Sequence, residues 1–307
     1  MQFTTPVDIT HSAHEISYSD SILMLGSCFT ENISEKLRQS FFRVTTNPFG
    51  ILYNPASISS CLRFLASDRE FDYEQYSLQH KGVYHSWLHH GSFSSADREQ
   101  FVKGIQQSIE DGRRALRQAS VVIVTFGTAW VYEHNSMIVA NCHKLPADCF
   151  TRRRLQVKEI VTEWHSLLSL PLLRDKHFIF TVSPIRHIKD GLHQNQLSKA
   201  TLLLACEQLA DYFPSYEIVT DELRDYRFYA DDMLHPSSVA VDYIWERFKD
   251  TYFSHETIEE MRPLCQLYSD LNHRPLHPDS PEYRTFREKT EEKTRALQKK
   301  YPWITES

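Results

Sequence analysis

The chain lacks the features that mark several large classes of proteins. Its 307 residues contain no apolar run of the roughly 18 residues that a transmembrane helix needs, so we expect no membrane insertion. Residues 1–6 show neither the basic nor the apolar segment of a secretory signal peptide. Basic residues are not in excess, because 34 Lys and Arg stand against 40 Asp and Glu, which argues against nucleic acid as a partner.

Paired cysteine motifs are also absent. The six cysteines are scattered without a Cys-x-x-Cys pair, at Cys28, Cys61, Cys142, Cys149, Cys206 and Cys265. This pattern indicates neither a disulfide framework nor a structural zinc site. Free thiols and the missing signal peptide together predict a cytoplasmic protein.

The sequence does contain short apolar runs that alternate with segments of helical spacing. Five runs rich in Val, Ile or Phe predict buried strands, at residues 22–26, 41–46, 121–126, 177–182 and 216–220. Continuous apolar strands are typical of a parallel sheet covered on both faces. The helical segments are residues 30–40, 56–66, 97–118, 152–168, 194–212 and 237–249. The predicted fold class is α/β, a three-layer α/β/α sandwich around a five-stranded, mostly parallel sheet.

Two stretches interrupt this alternation and one follows it. Residues 67–96 and 128–151 are expected to be insertions in a domain of residues 1–263, near the carboxyl ends of the strands, where such folds bind ligands. The polar segment 264–307 is expected to be a helical extension and a candidate for a homo-oligomer contact.

Three consecutive arginines at 152–154 are either the solvated start of a helix or an anion-binding patch.

The first candidate for chemistry is the turn after the first predicted strand. Gly26 allows a tight turn, and Ser27 and Cys28 then stand at the start of a helix. The N–H groups and positive end of a helix stabilise a thiolate, an alkoxide or a developing oxyanion. The structural alternative is that Ser27 caps the helix and Cys28 is a small buried apolar residue.

The second candidate is Asp232-Met-Leu-His235, in a loop after the last predicted strand. An aspartate three residues before a histidine can hold one imidazole nitrogen and leave the other free as a general base. The structural alternative is a helix start in which Pro236 occupies the first turn and the aspartate accepts from turn N–H groups.

Together, the two clusters resemble the two ends of an SGNH/GDSL hydrolase domain. More narrowly, Leu25-Gly-Ser-Cys-Phe-Thr-Glu-Asn32 looks like the signature of the GSCFA domain family, a largely bacterial group named for that motif. Residues 47–54, 126–129, 141–144 and 181–187 also resemble segments of this family. The resemblance implies strand order 2-1-3-4-5 and a site at the carboxyl end of the sheet. Family membership alone supplies no substrate. We expect a hydrolase or O-acyltransferase that acts, without a cofactor, on a small-molecule or carbohydrate ester.

The resemblance leaves two residues as candidates for the nucleophile. An ungapped alignment with Gly-Asp-Ser-Leu puts Cys28 at the nucleophile position, whereas a shift of one residue puts Ser27 there. In either case His235 is the expected general base and Asp232 the residue that orients it.

The asparagine that forms part of the superfamily's oxyanion hole is missing, because Gly127-Thr-Ala-Trp130 stands in its place. The loss of one such donor removes roughly 3–4 kcal/mol of transition-state stabilisation unless another group replaces it. The candidate replacements are backbone N–H groups near Gly127 and at residue 28, the Thr128 hydroxyl and the Asn141 amide.

Further candidates for substrate binding lie in the insertions and after the fourth predicted strand, at His85, His89, His143, Arg186 and His187. Arg186 suits an anionic group or a sugar hydroxyl, or else an ion pair with a neighbouring loop. His85 and His89 have the spacing of one helical face, so a metal-dependent hydrolase is an alternative function. A non-catalytic carbohydrate- or ligand-binding protein on the same scaffold is another.

Overall fold

Ten strands and ten α-helices form in residues 4–304, the part of the chain that the structure, a computed structural model, describes. The strands are β1 (Ser21–Gly26), β2 (Arg43–Thr46), β3 (Ser77–His80), β4 (Val83–Ser86), β5 (Val121–Phe126), β6 (Trp130–His134), β7 (Met137–Val139), β8 (Thr151–Arg154), β9 (His177–Val182) and β10 (Asp211–Phe213). The helices are α1 (Cys28–Gln39), α2 (Pro55–Leu65), α3 (Tyr73–Tyr76), α4 (Arg98–Gln118), α5 (Val157–Leu168), α6 (Leu192–Cys206), α7 (Ser215–Glu217), α8 (Ser238–Tyr252), α9 (His255–Leu271) and α10 (Pro281–Gln298).

The central sheet contains β1, β2, β5, β9 and β10, and every neighbouring pair in it is parallel. Its spatial order is β2-β1-β5-β9-β10, which reads 2-1-3-4-5 when only these strands are counted along the chain. The other five strands form two small antiparallel sheets, β3-β4 and β7-β6-β8. Because the five central strands are parallel, their carboxyl ends share one edge of the sheet.

Helices cover both faces of this sheet. Successive residues of a strand point to opposite faces, so a central strand contributes side chains to two separate cores. Leu25 of β1 lies in a core shared with Ile58 of α2 and Trp164 of α5. Its neighbour Met24 lies in a second core, shared with Phe248 of α8. The predicted α/β class, with a five-stranded parallel sheet between layers of helices, is therefore confirmed.

The fifth strand does not lie where the sequence predicts it. Residues 216–220 run from α7 into a π-helical turn, Ile218–Leu223, so the predicted strand is wrong. Ile218 and Val219 are buried there, and a short apolar run fits a buried helix as well as a strand. The edge strand is instead β10, whose three residues pair with β9.

The three consecutive arginines form strand β8, so the predicted helix start is wrong. This strand pairs antiparallel with β6, and α5 begins only after it. Arg152 forms an ion pair with Asp190, and Arg153 forms ion pairs with Glu133 and Glu159. Carboxylates of the chain itself therefore neutralise two of these arginines.

At the C-terminal end, α9 and α10 pack against each other and against the second core. α9 continues across residue 264, where the extension was expected to begin. Lys293 of α10 forms an ion pair with Asp270 of α9, and Tyr301 and Ile304 are buried. Among residues 4–304, no helix combines the length and apolar character needed to cross a bilayer.

Candidate active site

The turn between β1 and α1 places Cys28 at the first residue of a helix. Gly26 has a φ of +147°, and a Cβ built there would lie 2.3 Å from the Thr125 carbonyl oxygen, so only glycine fits. Ser27 is the N-cap residue, but it is fully buried and its hydroxyl has no hydrogen-bond partner within residues 4–304. Of the two candidate nucleophiles, Cys28 is the one that lines a cavity.

Cys28, His235 and Asp232 form a continuous chain of contacts. The Cys28 Sγ lies 3.6 Å from His235 Nε2, and the other ring nitrogen, Nδ1, lies 2.5 Å from Asp232 Oδ2. The second oxygen of Asp232 accepts hydrogen bonds from the N–H groups of Leu234 and His235, at 2.9 and 3.0 Å. These backbone donors, and then the imidazole, lower the pKa of Asp232 to about 2, so this carboxylate is charged at neutral pH.

The loop that carries Asp232 and His235 is closed by its own backbone. The N–H of Ala230 donates to the carbonyl oxygen of His235 at 2.8 Å, and Met233, with a φ of +59°, forms the turn between them. The N–H of Arg186, in the loop after β9, donates to the Leu234 carbonyl oxygen at 3.1 Å. The orientation of His235 is therefore set both by its own loop and by the neighbouring strand end.

The environment of Cys28 acts on the thiol in both directions. Burial raises the pKa of the Cys28 thiol above its ordinary value, and the carboxylate of Glu31 adds to the rise. The backbone N–H groups of Cys28 and Phe29, together with the ammonium group of Lys199, lower this pKa. The N–H groups at the start of α1 and the ammonium group of Lys199 therefore oppose the effect of burial on the pKa of this thiol.

The backbone N–H groups near Gly127 already have a partner. Those of Gly127 and Thr128 both donate to the carbonyl oxygen of Tyr53, at 2.8 and 2.9 Å, so neither is free to bind an oxyanion. The Thr128 hydroxyl lies 3.1 Å from the Ser198 hydroxyl. A Cβ on Gly127 would lie 3.0 Å from the Tyr53 carbonyl oxygen. The lack of a side chain at residue 127 therefore allows its backbone to pack closely against that of Tyr53.

Asn141 retains a free donor beside the cavity. Its Oδ1 accepts a hydrogen bond from the His143 N–H at 2.8 Å, which fixes the orientation of the amide. Its Nδ2 has no hydrogen-bond partner in the part of the chain that the structure describes. Asn141, a predicted candidate for the oxyanion hole, therefore lines the same cavity as Cys28 and has a side-chain N–H group available as a hydrogen-bond donor.

The cavity has a volume of about 520 Å³ and lies at the carboxyl edge of the sheet. Both the core domain and the second insertion line it, through Cys28, Tyr53, Asn54, Thr128, Trp130, Tyr132, Val139, Ala140, Asn141, Cys142, Arg152, Ile185, Arg186, His187, Ile188, Lys189, Asp190, Leu234 and His235. The Arg152 guanidinium stacks over the rings of Trp130 and Tyr132, at 4.6 and 5.0 Å. One wall of the cavity therefore consists of the rings of Trp130 and Tyr132 and the Arg152 guanidinium, which is paired with Asp190.

Arg186 and His187, which follow β9, line the cavity as predicted from their place in the sequence. The Arg186 guanidinium lies 5.7 and 5.5 Å from the ring centres of Tyr226 and Tyr229 and donates to the Met233 carbonyl oxygen. Burial lowers the pKa of His187 to about 4, so this imidazole is neutral at neutral pH.

The three candidate histidines of the insertions, His85, His89 and His143, lie outside the cavity lining. His85 lies within strand β4 and contacts the Ser94 hydroxyl, so the prediction that it shares a helical face with His89 is wrong. His89 is fully buried between two serine hydroxyls, and His143 lies 2.7 Å from the Ser86 carbonyl oxygen. Within residues 4–304, no three His, Cys, Asp or Glu side chains are grouped as a metal site requires.

Sequence reasoning missed several residues that support the site, namely Tyr53, Asn195, Ser198 and Lys199. The last three lie on α6, and each binds a loop that borders the cavity. A signal for them exists in the sequence: Asn195, Ser198 and Lys199 follow the i, i+3, i+4 spacing in a segment otherwise rich in leucine. Polar residues on one face of an apolar helix indicate buried hydrogen bonds.

Comparison with protein families gives two matches. The model of the GSCFA family matches residues 21–248, and that of the GSCFA domain protein, C-terminal domain, matches residues 266–305. The first match contains every residue of the contact chain from Cys28 to Asp232. A comparison with curated proteins finds no match.

Proposed function

This chain belongs to the GSCFA family, and we propose that it is an SGNH/GDSL-like acyl hydrolase or O-acyltransferase with Cys28 as its nucleophile. The observation that carries the proposal is the contact of Cys28 Sγ with His235 Nε2, while Asp232 holds the other ring nitrogen. Cys28 and His235 are 207 positions apart in the chain. The parallel sheet and the position of the site at its carboxyl edge also support the superfamily assignment.

In the first half-reaction, His235 takes the proton of the Cys28 thiol and the sulfur attacks the carbonyl carbon of an ester. Asp232 stabilises the imidazolium that forms. The tetrahedral intermediate then collapses, the carbon–oxygen bond of the ester breaks, and the departing alcohol takes the proton from His235. The product is a thioester on Cys28.

The oxyanion of this intermediate needs donors close to the sulfur. The N–H groups of Cys28 and Phe29 are suitable because they lie in the first turn of α1, where N–H groups have no acceptor within the helix. The Nδ2 of Asn141 is our candidate for the donor that replaces the superfamily's asparagine, since it lines the same cavity.

In the second half-reaction, His235 takes the proton of an acceptor hydroxyl and the oxygen attacks the carbonyl carbon of the thioester. The carbon–sulfur bond then breaks, and the Cys28 sulfur takes the proton back from His235. Water gives an esterase, and a sugar hydroxyl gives an O-acyltransferase. Trp130 and Tyr132, together with the Arg152–Asp190 pair beside them, offer aromatic and polar groups on one wall of the cavity, which suits a carbohydrate.

The proposal is tested by hydrolysis of p-nitrophenyl acetate and butyrate. We expect Cys28→Ala and His235→Ala to lower kcat/KM at least about 100-fold, because each removes a group that acts in the chemical step. Ser27→Ala, at a fully buried residue, and Cys142→Ala, at the other cysteine of the cavity, are controls that should stay within about tenfold of wild type.

Intact-mass measurement of enzyme quenched during turnover should detect an acyl group on wild type and none on Cys28→Ala. Equal rates for wild type and Cys28→Ala, with both folded by circular dichroism, would contradict Cys28 as nucleophile. The same measurement on Ser27→Ala would then decide whether the neighbouring serine acts instead. Absence of turnover and of acyl-enzyme in wild type would favour the non-catalytic ligand-binding protein.

A further inference from the structure

The cavity of the candidate active site has an excess of positive charge, although the protein as a whole is acidic. Three cationic side chains and one carboxylate line it, which gives a formal charge of +2 with histidine neutral, whereas the whole chain carries −6. The cationic residues are Arg152, Arg186 and Lys189, and the carboxylate is Asp190. A cleft with charges of one sign attracts ligands of the opposite sign.

The charge of Arg152 is balanced within the chain. Both oxygens of the Asp190 carboxylate accept hydrogen bonds from its guanidinium, in the parallel geometry of a bidentate pair. Arg152 and Asp190 therefore neutralise each other. The excess positive charge belongs to Arg186 and Lys189, neither of which forms an ion pair with a carboxylate of residues 4–304.

Arg186 is held beside the loop that carries the general base. Its guanidinium lies 5.7 and 5.5 Å from the ring centres of Tyr226 and Tyr229, and its Nη1 donates to the Met233 carbonyl oxygen at 3.1 Å. Met233 is two residues before His235. The Nε and Nη2 groups of Arg186 donate no hydrogen bond in the described part of the chain. This planar group therefore retains free donors for a carboxylate or a phosphate.

Lys189 lies three residues further along the same loop and is held by the aromatic wall. Its Nζ is 5.0 Å from the centre of the Tyr132 ring and donates to the Tyr132 hydroxyl. An ammonium group has three N–H donors, so two remain for a ligand. One loop after β9 thus brings both unbalanced cations into the cavity that Cys28 and His235 line.

Two other carboxylates near the catalytic residues do not offset these cations. Asp232 is outside the cavity lining, and its oxygens accept from the His235 imidazole and from two backbone N–H groups. Glu31, which raises the pKa of the Cys28 thiol, is also outside the lining. A substrate in the cavity therefore meets the positive charges of Arg186 and Lys189 directly.

We propose that the substrate of this site is an anionic ester, whose carboxylate or phosphate group binds Arg186 and Lys189 while Cys28 attacks the ester carbonyl. The volume of about 520 Å³ is within the range of small-molecule sites. The inference rests on the proposed function for the reaction, and it adds the charge of the substrate. Attraction of an anion into the cavity is measurable without turnover.

The first test compares alkylation of Cys28 by iodoacetate and by iodoacetamide, followed by peptide mass spectrometry. The two reagents differ by one negative charge and attack the same thiolate, so the ratio of their rates is independent of the thiol pKa. We expect Arg186→Gln and Lys189→Gln each to lower the ratio of iodoacetate to iodoacetamide rates about threefold, and the double variant about tenfold. Added salt should lower the ratio in wild type.

The chain offers matched controls for this measurement. The Arg113 guanidinium lies 5.6 Å from the Phe64 ring centre and donates to the Arg69 carbonyl oxygen, but it does not line the cavity. Arg113→Gln should therefore leave the ratio at the wild-type value. Lys189→Arg keeps the charge and should also retain it. The exposed Cys265 of the same molecules is the internal reference.

An unchanged ratio at Cys28 in the folded double variant would overturn the inference. If the Arg186 substitution prevents folding, Lys189→Gln, at an exposed side chain, and the salt dependence of wild type still decide it. A ratio that responds to neither the lysine substitution nor salt would then reject an anion-attracting cavity.

The second test uses three acetate esters of similar size: methyl para-acetoxybenzoate, which is neutral, para-acetoxybenzoate and para-acetoxyphenyl phosphate. We expect kcat/KM of wild type to be at least about tenfold higher for one of the anionic esters, because charge-assisted hydrogen bonds hold it. This preference should decrease in Arg186→Gln and persist in Arg113→Gln. The preferred ester also shows whether the anion is a carboxylate or a phosphate.

The two tests separate the inference from the proposed function. Turnover of the neutral ester at least as fast as of both anionic esters would overturn the inference and leave the acyl-transfer reaction standing. No turnover of any ester, with an alkylation ratio that falls as expected in the variants, would support the anion site and reject the reaction.

Discussion

At position 26 the backbone adopts a φ of +147°, and a Cβ there would lie 2.3 Å from the Thr125 carbonyl oxygen. Real contacts of this kind are far longer, so the turn that presents Cys28 could not form unchanged. We expect Gly26→Ala to lower the free energy of unfolding by at least about 3 kcal/mol, because backbone strain and a clash with backbone add. Urea unfolding, monitored by circular dichroism, measures this change in the free energy of unfolding.

Gly82→Ala separates these two causes. Gly82 also has a positive φ, +78°, but a Cβ there would meet nothing within 4 Å. Its substitution should therefore cost only about 1 kcal/mol, from conformational strain alone. If Gly26→Ala were no more destabilising than Gly82→Ala, the close packing of β1 against β5 described here would be incorrect.

The residues of the candidate site differ in how far the sequence predicts them. Cys28 was predicted because its motif directly follows a strand, and Asp232 and His235 because their spacing in a loop suits an acid–base pair. The sequence left Ser27 and Cys28 as alternatives, since the side chain that faces the cavity depends on backbone angles in the turn. Lys199 was missed because its partners are backbone carbonyl oxygens, which carry no residue identity.

Among the secondary structure elements, the central strands were the easiest to predict. β1, β5 and β9 match the predicted runs within one residue, because strands buried on both faces are apolar throughout. The edge strand β10 has three residues, too few for a pattern. β8 was mistaken for part of a helix because its arginines are stabilised by carboxylates distant in sequence, which no local pattern reveals.

The segment after α10 belongs to the second core, and this predicts its effect on stability. Tyr301 is 4% exposed and lies 5.1 Å from the ring of Tyr18, while Leu276, earlier in the same C-terminal segment, is 94% exposed. We expect Tyr301→Ala to lower the free energy of unfolding by about 3 kcal/mol, through lost burial and a cavity. Leu276→Ala is the control and should change it by less than about 0.5 kcal/mol.

Urea unfolding curves give both values. Ester hydrolysis at low temperature should persist in Tyr301→Ala, because its ring lies in the second core and not in the cavity lining. A Tyr301→Ala protein as stable as Leu276→Ala would mean that the C-terminal segment does not pack as described.

On the scale of the whole molecule, the sheet topology brings distant parts of the chain to one place. Cys28 follows β1 and His235 precedes α8, yet parallel strands in this order place both at one edge. This convergence could be predicted from the resemblance and from the rule that ligands bind at the carboxyl ends of parallel strands. The sequence analysis also expected the insertion at residues 128–151 to lie near the site. Which of its residues line the cavity could not be predicted, because this insertion folds as a separate small sheet.

The buried histidines make the stability of the molecule depend on pH. Burial lowers the pKa of His89 to about 3, and that of His143 and His187 to about 4, from an ordinary value of 6.5. Between pH 6.5 and about 4 the unfolded chain therefore binds more protons than the folded one. The free energy of unfolding should fall as the pH falls through this range, by up to about 1.4 kcal/mol per pH unit for each such histidine.

His89→Gln tests this dependence, because an amide can replace the contacts with Ser86 and Ser108 but does not titrate. Urea unfolding at pH 7, 6, 5 and 4 should give a dependence on pH that is shallower than in wild type by about 1 kcal/mol per unit. His255→Gln, at a side chain that is 90% exposed, is the control and should retain the wild-type slope. An unchanged slope in His89→Gln would mean that His89 keeps its proton on folding, which would contradict its burial as a neutral imidazole.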